Sequence, residues 1–104
     1  MVRKLQKADI DRVADIWLDT NLKAHDFISA QYWKRNFELV KEMLLQAEVY
    51  VYESDQKIQG FIGLNNDYIE GIFVSDKMQS QGIGKILLND TKDKRNELRL
   101  NVYR

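Results

Sequence analysis

The apolar positions along the chain change period twice. Between Ala8 and Asn21, Ile10, Val13, Ala14, Trp17 and Leu18 recur at helical spacing. Asp9 and Asp11 fall in the first turn of that helix, where its dipole favours acids. His25-Asp26-Phe27-Ile28 links it to a second segment with Ser29 as candidate N-cap. Trp33, Phe37, Val40 and Leu44 follow at i, i+4, i+7 and i+11, which predicts an amphipathic helix running to about Gln46. From Glu48 the residues become β-branched and aromatic. Glu48–Glu53 reads as a strand, Ser54–Lys57 as a turn, and Lys57–Leu64 as the returning strand of a hairpin. After the turn Asn65–Asp67, Tyr68–Val74 is the third strand of the meander. A polar loop from Ser75 to Gln81 opens at Gly82 into a helix reaching about Arg95. Glu97–Tyr103 predicts a final strand, and Val2–Gln6 a short first one. The order is β-α-α-β-β-β-α-β, an α/β fold in which helices flank one sheet. Residues 1–104 read as a single domain.

Composition narrows what such a domain can do. The chain is 44% hydrophobic and 31% charged, with 16 Lys+Arg against 16 Asp+Glu, the balance of a globular domain. Residues 75–104 carry seven basic and four acidic side chains, a net of +3. That is too mild for a nucleic-acid footprint. It suits either a small anionic ligand or an ordinary solvated helix face. With no cysteine, disulfides, thiol nucleophiles and cysteine-based zinc sites are all excluded. His25 is the single histidine, so a multi-histidine metal site is excluded too, and no metal is expected. No apolar run approaches a membrane span, and the N-terminus has no apolar core of a secretory signal. The expectation is a cytoplasmic protein with no membrane or nucleic-acid partner.

The chemistry concentrates in Val74-Ser-Asp-Lys-Met-Gln79-Ser-Gln-Gly82-Ile-Gly84-Lys85. A strand runs into a loop, and glycines stand where the loop opens a helix. Such a helix N-terminus has unpaired N–H groups and a partial positive charge, and it binds phosphate oxygens. Two familiar phosphate motifs fail on spacing. A P-loop needs glycine where Gln79 stands and Ser or Thr where Ile86 stands. A dinucleotide fingerprint needs a third glycine where Leu87 stands. What remains is Gln79-x-x-Gly82-x-Gly84.

That pattern, after Phe73-Val74 and before Lys85-Ile-Leu-Leu, resembles the acetyl-CoA loop of the GNAT superfamily of N-acetyltransferases, whose pattern is Arg/Gln-x-x-Gly-x-Gly/Ala. The order of elements is similar to the family's first five strands and first three helices. His25-Asp26-Phe27-Ile28-Ser29 with Tyr32 resembles a subgroup of small bacterial members. The resemblance implies a mixed, mostly antiparallel sheet and acetyl-CoA as co-substrate, with a primary amine of a small molecule or protein as acceptor. It implies that the backbone N–H groups of Gln81, Gly82, Ile83, Gly84 and Lys85 hold the pyrophosphate, with Gln79 opening the motif. Ile72, Phe73 and Val74 would pair with the pantetheine arm.

Acetyl transfer to an amine needs a base, because a lysine-like amine has a pKa of about 10.4. It also needs a donor for the carbonyl oxygen and a proton for the leaving thiolate. Glu70 is the base candidate, placed by strict alternation on the strand face of Tyr68 and Ile72; the alternative is a solvent-facing strand charge. His25, Asp26 and Tyr32 are the candidates for lining the acceptor site; a linker histidine bonded to backbone is the alternative for His25. Trp17, Trp33 and Phe37 read as core. Family members usually continue into a further helix and two more strands, and that helix carries the usual acid. The sequence ends before it. The expectation is an incomplete GNAT domain in which Tyr103 or Tyr68 substitutes as acid, with the terminal strand exposed and able to pair two copies into a homodimer. A catalytically weak, CoA-binding fragment that dimerises is the competing reading, and an unrelated phosphate-binding module is a third.

Overall fold

Glu48–Val74 folds as the meander its alternation predicts. Strands β2 (Glu48–Ser54), β3 (Lys57–Asn65) and β4 (Tyr68–Val74) pair antiparallel in sequence order. The β2–β3 turn holds Asp55 and Gln56 at φ 53° and 63°, the left-handed pair that matches the twist of a tight hairpin. β1 (Val2–Lys4) adds antiparallel to β2, and β5 (Arg99–Leu100) adds parallel to β4, so the sheet order is β1-β2-β3-β4-β5. This computed structural model describes residues 1–25, 27–65, 68–79, 81–94 and 99–100. The predicted terminal strand is seen through Arg99 and Leu100; Leu98 and Val102 lie outside the described residues.

The first helix, α1 (Ile10–Ala24), follows a single 3-10 turn at Lys7–Asp9. Asp9 anchors that corner. Its carboxylate accepts the Gln6 N–H at 2.8 Å and two Arg3 guanidinium bonds at 2.7 and 3.1 Å. Arg3 also donates to Glu53 at 3.0 Å, so one cation ties β1, β2 and the start of α1 together. The bond from Arg3 holds the Asp9 carboxyl below the usual carboxylate range, against the opposing effect of burial.

The second predicted helix is found as two, α2 (Ala30–Arg35) and α3 (Phe37–Gln46). Ser29 caps α2 as expected, accepting the Gln31 N–H at 3.2 Å. The break is Asn36, at φ −90° and ψ 0°. Its side-chain amide donates to the Tyr32 carbonyl at 2.8 Å and competes with the backbone ladder. The amphipathic stripe continues across the break, which is why the spacing alone does not reveal it. The last helix is α4 (Ile83–Lys94).

The sheet has a hydrophobic cluster on each face. Val13, Ile16, Leu44, Val49, Val51 and Phe61 pack under α1 and α3. Ile62, Leu64, Ile69, Ile83 and Leu87 pack under α4. Each such side chain contributes about 1.5–3 kcal/mol when fully buried. Trp17 and Phe37 pack against the first cluster, in keeping with their reading as core.

One irregularity matters for function. Gly63 pairs with Gly71, but the next pair is Leu64 with Ile69. Glu70 is therefore an extra residue in β4, a β-bulge that interrupts the side-chain alternation. Among the described residues, no helix is long and apolar enough to cross a membrane, and no cluster of side chains could hold a metal.

Candidate functional site

The loop after β4 folds back onto the strand it leaves. Asp76–Met78 forms one 3-10 turn, and the Gln79 side-chain amide donates to the Val74 carbonyl at 3.2 Å. Gly82 then adopts φ 81°, a left-handed conformation that L-residues rarely take. The first internal bond of α4 runs from the Ile86 N–H to the Gly82 carbonyl at 3.0 Å. The N–H groups of Ile83, Gly84 and Lys85 precede it and are the donors a helix start leaves over. No acidic residue stands in that first turn. Gln81 and Lys85 are exposed, while Ile83 buries its side chain in the α4 cluster and offers only its backbone. A Cβ at Gly84 would make ordinary contact with Ile72 and Val74 at 3.6 and 4.0 Å, so this residue lies directly on β4.

The free edge of β4 adjoins this cradle. The Ser75 N–H bonds the Gln59 carbonyl at 2.8 Å. In an antiparallel ladder the bonded pairs alternate, so Phe73 and Gly71 also direct their backbone groups to β3. Ile72 and Val74 direct theirs the other way. β5 meets β4 at Tyr68 and Ile69, and among the described residues no strand covers the edge beyond them. Of the three residues expected to pair with a pantetheine arm, Ile72 and Val74 therefore carry the edge groups. Phe73 instead turns its ring to the opposite face, where it stacks on Phe61 at 4.9 Å between centroids.

That opposite face holds a cleft of about 670 Å3 between α1, α3 and the ends of β2–β4. Trp17, Val40, Met43, Phe61 and Phe73 form its apolar walls, and Glu48 and Glu70 bring carboxylates to it. Glu70 does not share a face with Ile72, as alternation requires. The bulge turns it to the side of Phe73, while Ile72 packs in the α4 cluster. Gly63 and Gly71 also line the cleft, a feature the sequence reading missed although glycine inside a strand often marks a close approach.

His25 and Tyr32 do not line this cleft. His25 ends α1, stacks on Trp33 at 5.5 Å and meets Phe27 edge-on. Tyr32 is half exposed, with its ring 4.9 Å from Trp33. Trp33 in turn packs edge-on against Trp17, which joins this aromatic cluster to the cleft wall. Among the described residues the buried Trp33 indole N–H has no hydrogen-bond partner. Asp26 and Tyr103 lie outside the described residues. Tyr68 is exposed at the start of β4. A second cleft, of about 720 Å3, lies where α1, the β2–β3 turn and Ser75–Met78 meet. Some of its charges are paired within the protein, and the Arg12 guanidinium donates to the Ile58 carbonyl at 3.0 Å. Asp9 and Glu53 hold Arg3, and Lys23 bridges Asp19 and Asp76 at 3.2 and 3.1 Å. Those two carboxylates raise the Lys23 pKa, which keeps it cationic and tied to the loop.

Residues 14–103 match the family model of the acetyltransferase (GNAT) domain. The chain belongs to the GNAT acetyltransferases. It is 31% identical over 105 residues to the peptidyl-lysine N-acetyltransferase YiaC of Escherichia coli (strain K12), a match covering 99% of this chain and 72% of that protein. Against the peptidyl-lysine N-acetyltransferase YjaB of the same organism it is 27% identical, covering 97% of this chain and 69% of the other. The solution structure of apo-form YjaB from Escherichia coli superposes with a TM-score of 0.84 at 24% identity, covering 98% of this chain and 70% of that one. PaiA N-acetyltransferase from Thermoplasma acidophilum, solved in complex with coenzyme A, superposes with a TM-score of 0.80 at 18% identity, covering 100% of this chain and 79% of that one. At these identities the solved structures establish the GNAT fold, and the family match makes the chain an acetyltransferase domain.

Proposed function

We propose that this GNAT domain transfers the acetyl group of acetyl-CoA to the side-chain amine of a lysine in a protein or peptide. The observation that carries the reading is the cradle at Gly82. A glycine at positive φ opens a helix whose first three N–H groups lie beside an edge of β4 that no strand covers beyond Ile69 among the described residues. The residues fit the co-substrate: an anion-binding helix start for the pyrophosphate, and the edge groups of Ile72 with the Val74 N–H for an amide-bearing arm, the Val74 carbonyl already accepting the Gln79 amide. Bound there, acetyl-CoA supplies an activated acetyl thioester. The naming of YiaC and YjaB as peptidyl-lysine N-acetyltransferases supports the acceptor class.

The chain's own residues bind, orient and move protons. Ile83, Gly84 and Lys85 hold the diphosphate, and β4 fixes the arm. Glu70, turned into the cleft by the bulge, accepts the proton that a lysine ammonium must lose, directly or through water. The amine nitrogen then bonds to the acetyl carbon as the carbon–sulfur bond breaks, and the sulfur takes up a proton. His25 and Tyr32 border the acceptor side through the aromatic cluster. A reducing compartment such as the cytoplasm is the proposed setting, on the absence of cysteine. Pairing of two copies at the β5 side of the sheet is the proposed assembly, and sedimentation at micromolar concentration tests it.

The test of the activity is calorimetry with acetyl-CoA, followed by CoA release in the presence of a lysine peptide. Binding with release supports the reading. Absence of binding refutes the co-substrate site, and binding without release under any amine refutes transfer.

A further inference from the structure

The cleft between α1, α3 and the strand ends is wider than a lysine side chain needs. At about 670 Å3 it has room for the residues on either side of an acceptor lysine, which would meet the rim. The rim is not uniform. The strand ends contribute polar side chains, Glu48, Asn65 and Glu70. The α3 side is apolar. Val40 and Leu44 turn to the core, whereas Met43, which also lines the cleft, is 60% exposed. Leu39 stands one turn before Met43 on the same side of the helix and is 53% exposed. A single exposed leucine is ordinary on a protein surface. Here two long apolar side chains adjoin, and Met43 joins them to the cleft wall of Val40 and Trp17. Neither belongs to a hydrophobic cluster of the fold, so core packing does not account for them.

We propose that Leu39 and Met43 give the acceptor site its sequence preference: they seat a bulky apolar side chain one or two residues away from the lysine, whose ammonium turns to Glu70 within the cleft. Charge and reach both fit this occupant. The carboxylates of Glu48 and Glu70 favour a cation in the cleft, and an extended peptide carries that cation and an apolar neighbour together. One helical turn, about 5.4 Å, separates Leu39 from Met43. An extended chain advances about 3.3 Å per residue, so the stripe reaches the first and second neighbours of the lysine. This rests on the acetyl-transfer reading above and adds to it which lysines are taken.

The test uses N-terminally blocked peptides with a single central lysine. In the parent every position within two residues of the lysine is serine, and in each of the others one of those positions is leucine. Binding is read from the fluorescence polarisation of labelled peptides, and transfer from CoA release. An open rim covers about half of a leucine side chain, which is worth a factor of about 3 to 10. The best leucine peptide is expected to exceed the serine parent by about that factor in affinity and in kcat/KM. Leu39→Ser combined with Met43→Ser should bring both ratios to about one, with acetyl-CoA calorimetry as the folding control. Equal values for all the peptides, or a leucine advantage that survives the double variant, overturn the rim. A leucine advantage in binding with no CoA release refutes acetyl transfer while leaving the rim. CoA release from every peptide with no leucine advantage leaves transfer and overturns the rim. A dimer in sedimentation that the double variant abolishes puts a second copy on this face and overturns the peptide as its occupant.

Discussion

Gly82 joins the conformation of the loop to its chemistry, and the two can be separated by substitution. At φ 81° the position a Cβ would take has no heavy atom within 4 Å. A side chain there meets no clash, so its cost is conformational. Holding an L-residue in the left-handed region costs about 1–2 kcal/mol. Restricting the unfolded chain returns about 0.4–1 kcal/mol when glycine is replaced by alanine. Gly82→Ala should therefore lose up to about 1.6 kcal/mol by these two effects. At about 4–8 °C per kcal/mol for a domain near this size, Tm falls by up to about 13 °C. Asparagine tolerates this conformation and should lose less, while β-branched valine should lose more.

Affinity for acetyl-CoA should follow a different order. The added atoms project into open space beside the N–H groups of Ile83, Gly84 and Lys85, where a diphosphate must approach. Every substituent obstructs that approach, asparagine included. Gly82→Asn is thus expected to recover most of the Tm and little of the affinity. Thermal unfolding without ligand gives the first quantity and calorimetry with acetyl-CoA the second. A Gly82→Asn protein with wild-type affinity would show that the helix start is not where the phosphates bind. A Gly82→Ala protein with raised Tm would show that the left-handed conformation is not held in solution.

Other expectations follow from the fold itself. Gly60→Ala would bring its Cβ to 2.8 Å from the Phe73 carbonyl, a backbone atom in a packed sheet, so it should cost about 1–3 kcal/mol in chemical denaturation; Gly63→Ala, three residues along the same strand, should cost little or none. Leu87 is fully buried under α4, and Leu87→Ala should lose about 2–5 kcal/mol, read as a lower urea midpoint at unchanged slope. Asp9→Asn removes the anion that Arg3 clasps and should cost about 1–3 kcal/mol at neutral pH. Because the folded Asp9 pKa lies below its unfolded value, this contribution is complete above about pH 4 and is lost as pH falls through the folded pKa. The difference between wild type and Asp9→Asn should therefore shrink in acid, and a constant gap from pH 7 to pH 2 would contradict the role assigned to Arg3.

The loop proposed to hold the co-substrate could be read from the chain because it is local. Gln79, Gly82, Gly84 and Lys85 lie within one turn and one loop, and the strand before them and the helix after them announce themselves by period. The cleft on the other face of the sheet could not. Its walls come from α1, α3, β3 and β4, and its floor depends on how β3 and β4 pair. Glu70 shows the same limit in one residue. Period 2 assigns it to the face of Ile72, and one unpaired residue in the ladder moves it to the face of Phe73. The bulge depends on how β3 and β4 register, which no pattern within β4 contains. The break at Asn36 is hidden for a related reason: a single side-chain bond to the Tyr32 carbonyl ends α2 without disturbing the apolar stripe.

These two kinds of encoding have a chemical consequence. A loop defined by a few contiguous residues keeps its geometry as long as those residues stay, so binding of a shared co-substrate tolerates change elsewhere in the chain. A cleft assembled from four elements responds to substitution in any of them. Gly63 and the bulged Glu70 stand at its floor with little packing at stake, since a side chain at Gly63 has room, whereas a Cβ on Gly71 would meet the Phe73 ring at 2.6 Å. Substitution at Gly63 can therefore reshape this face of the sheet while the α4 face, which holds Leu87, stays as it is.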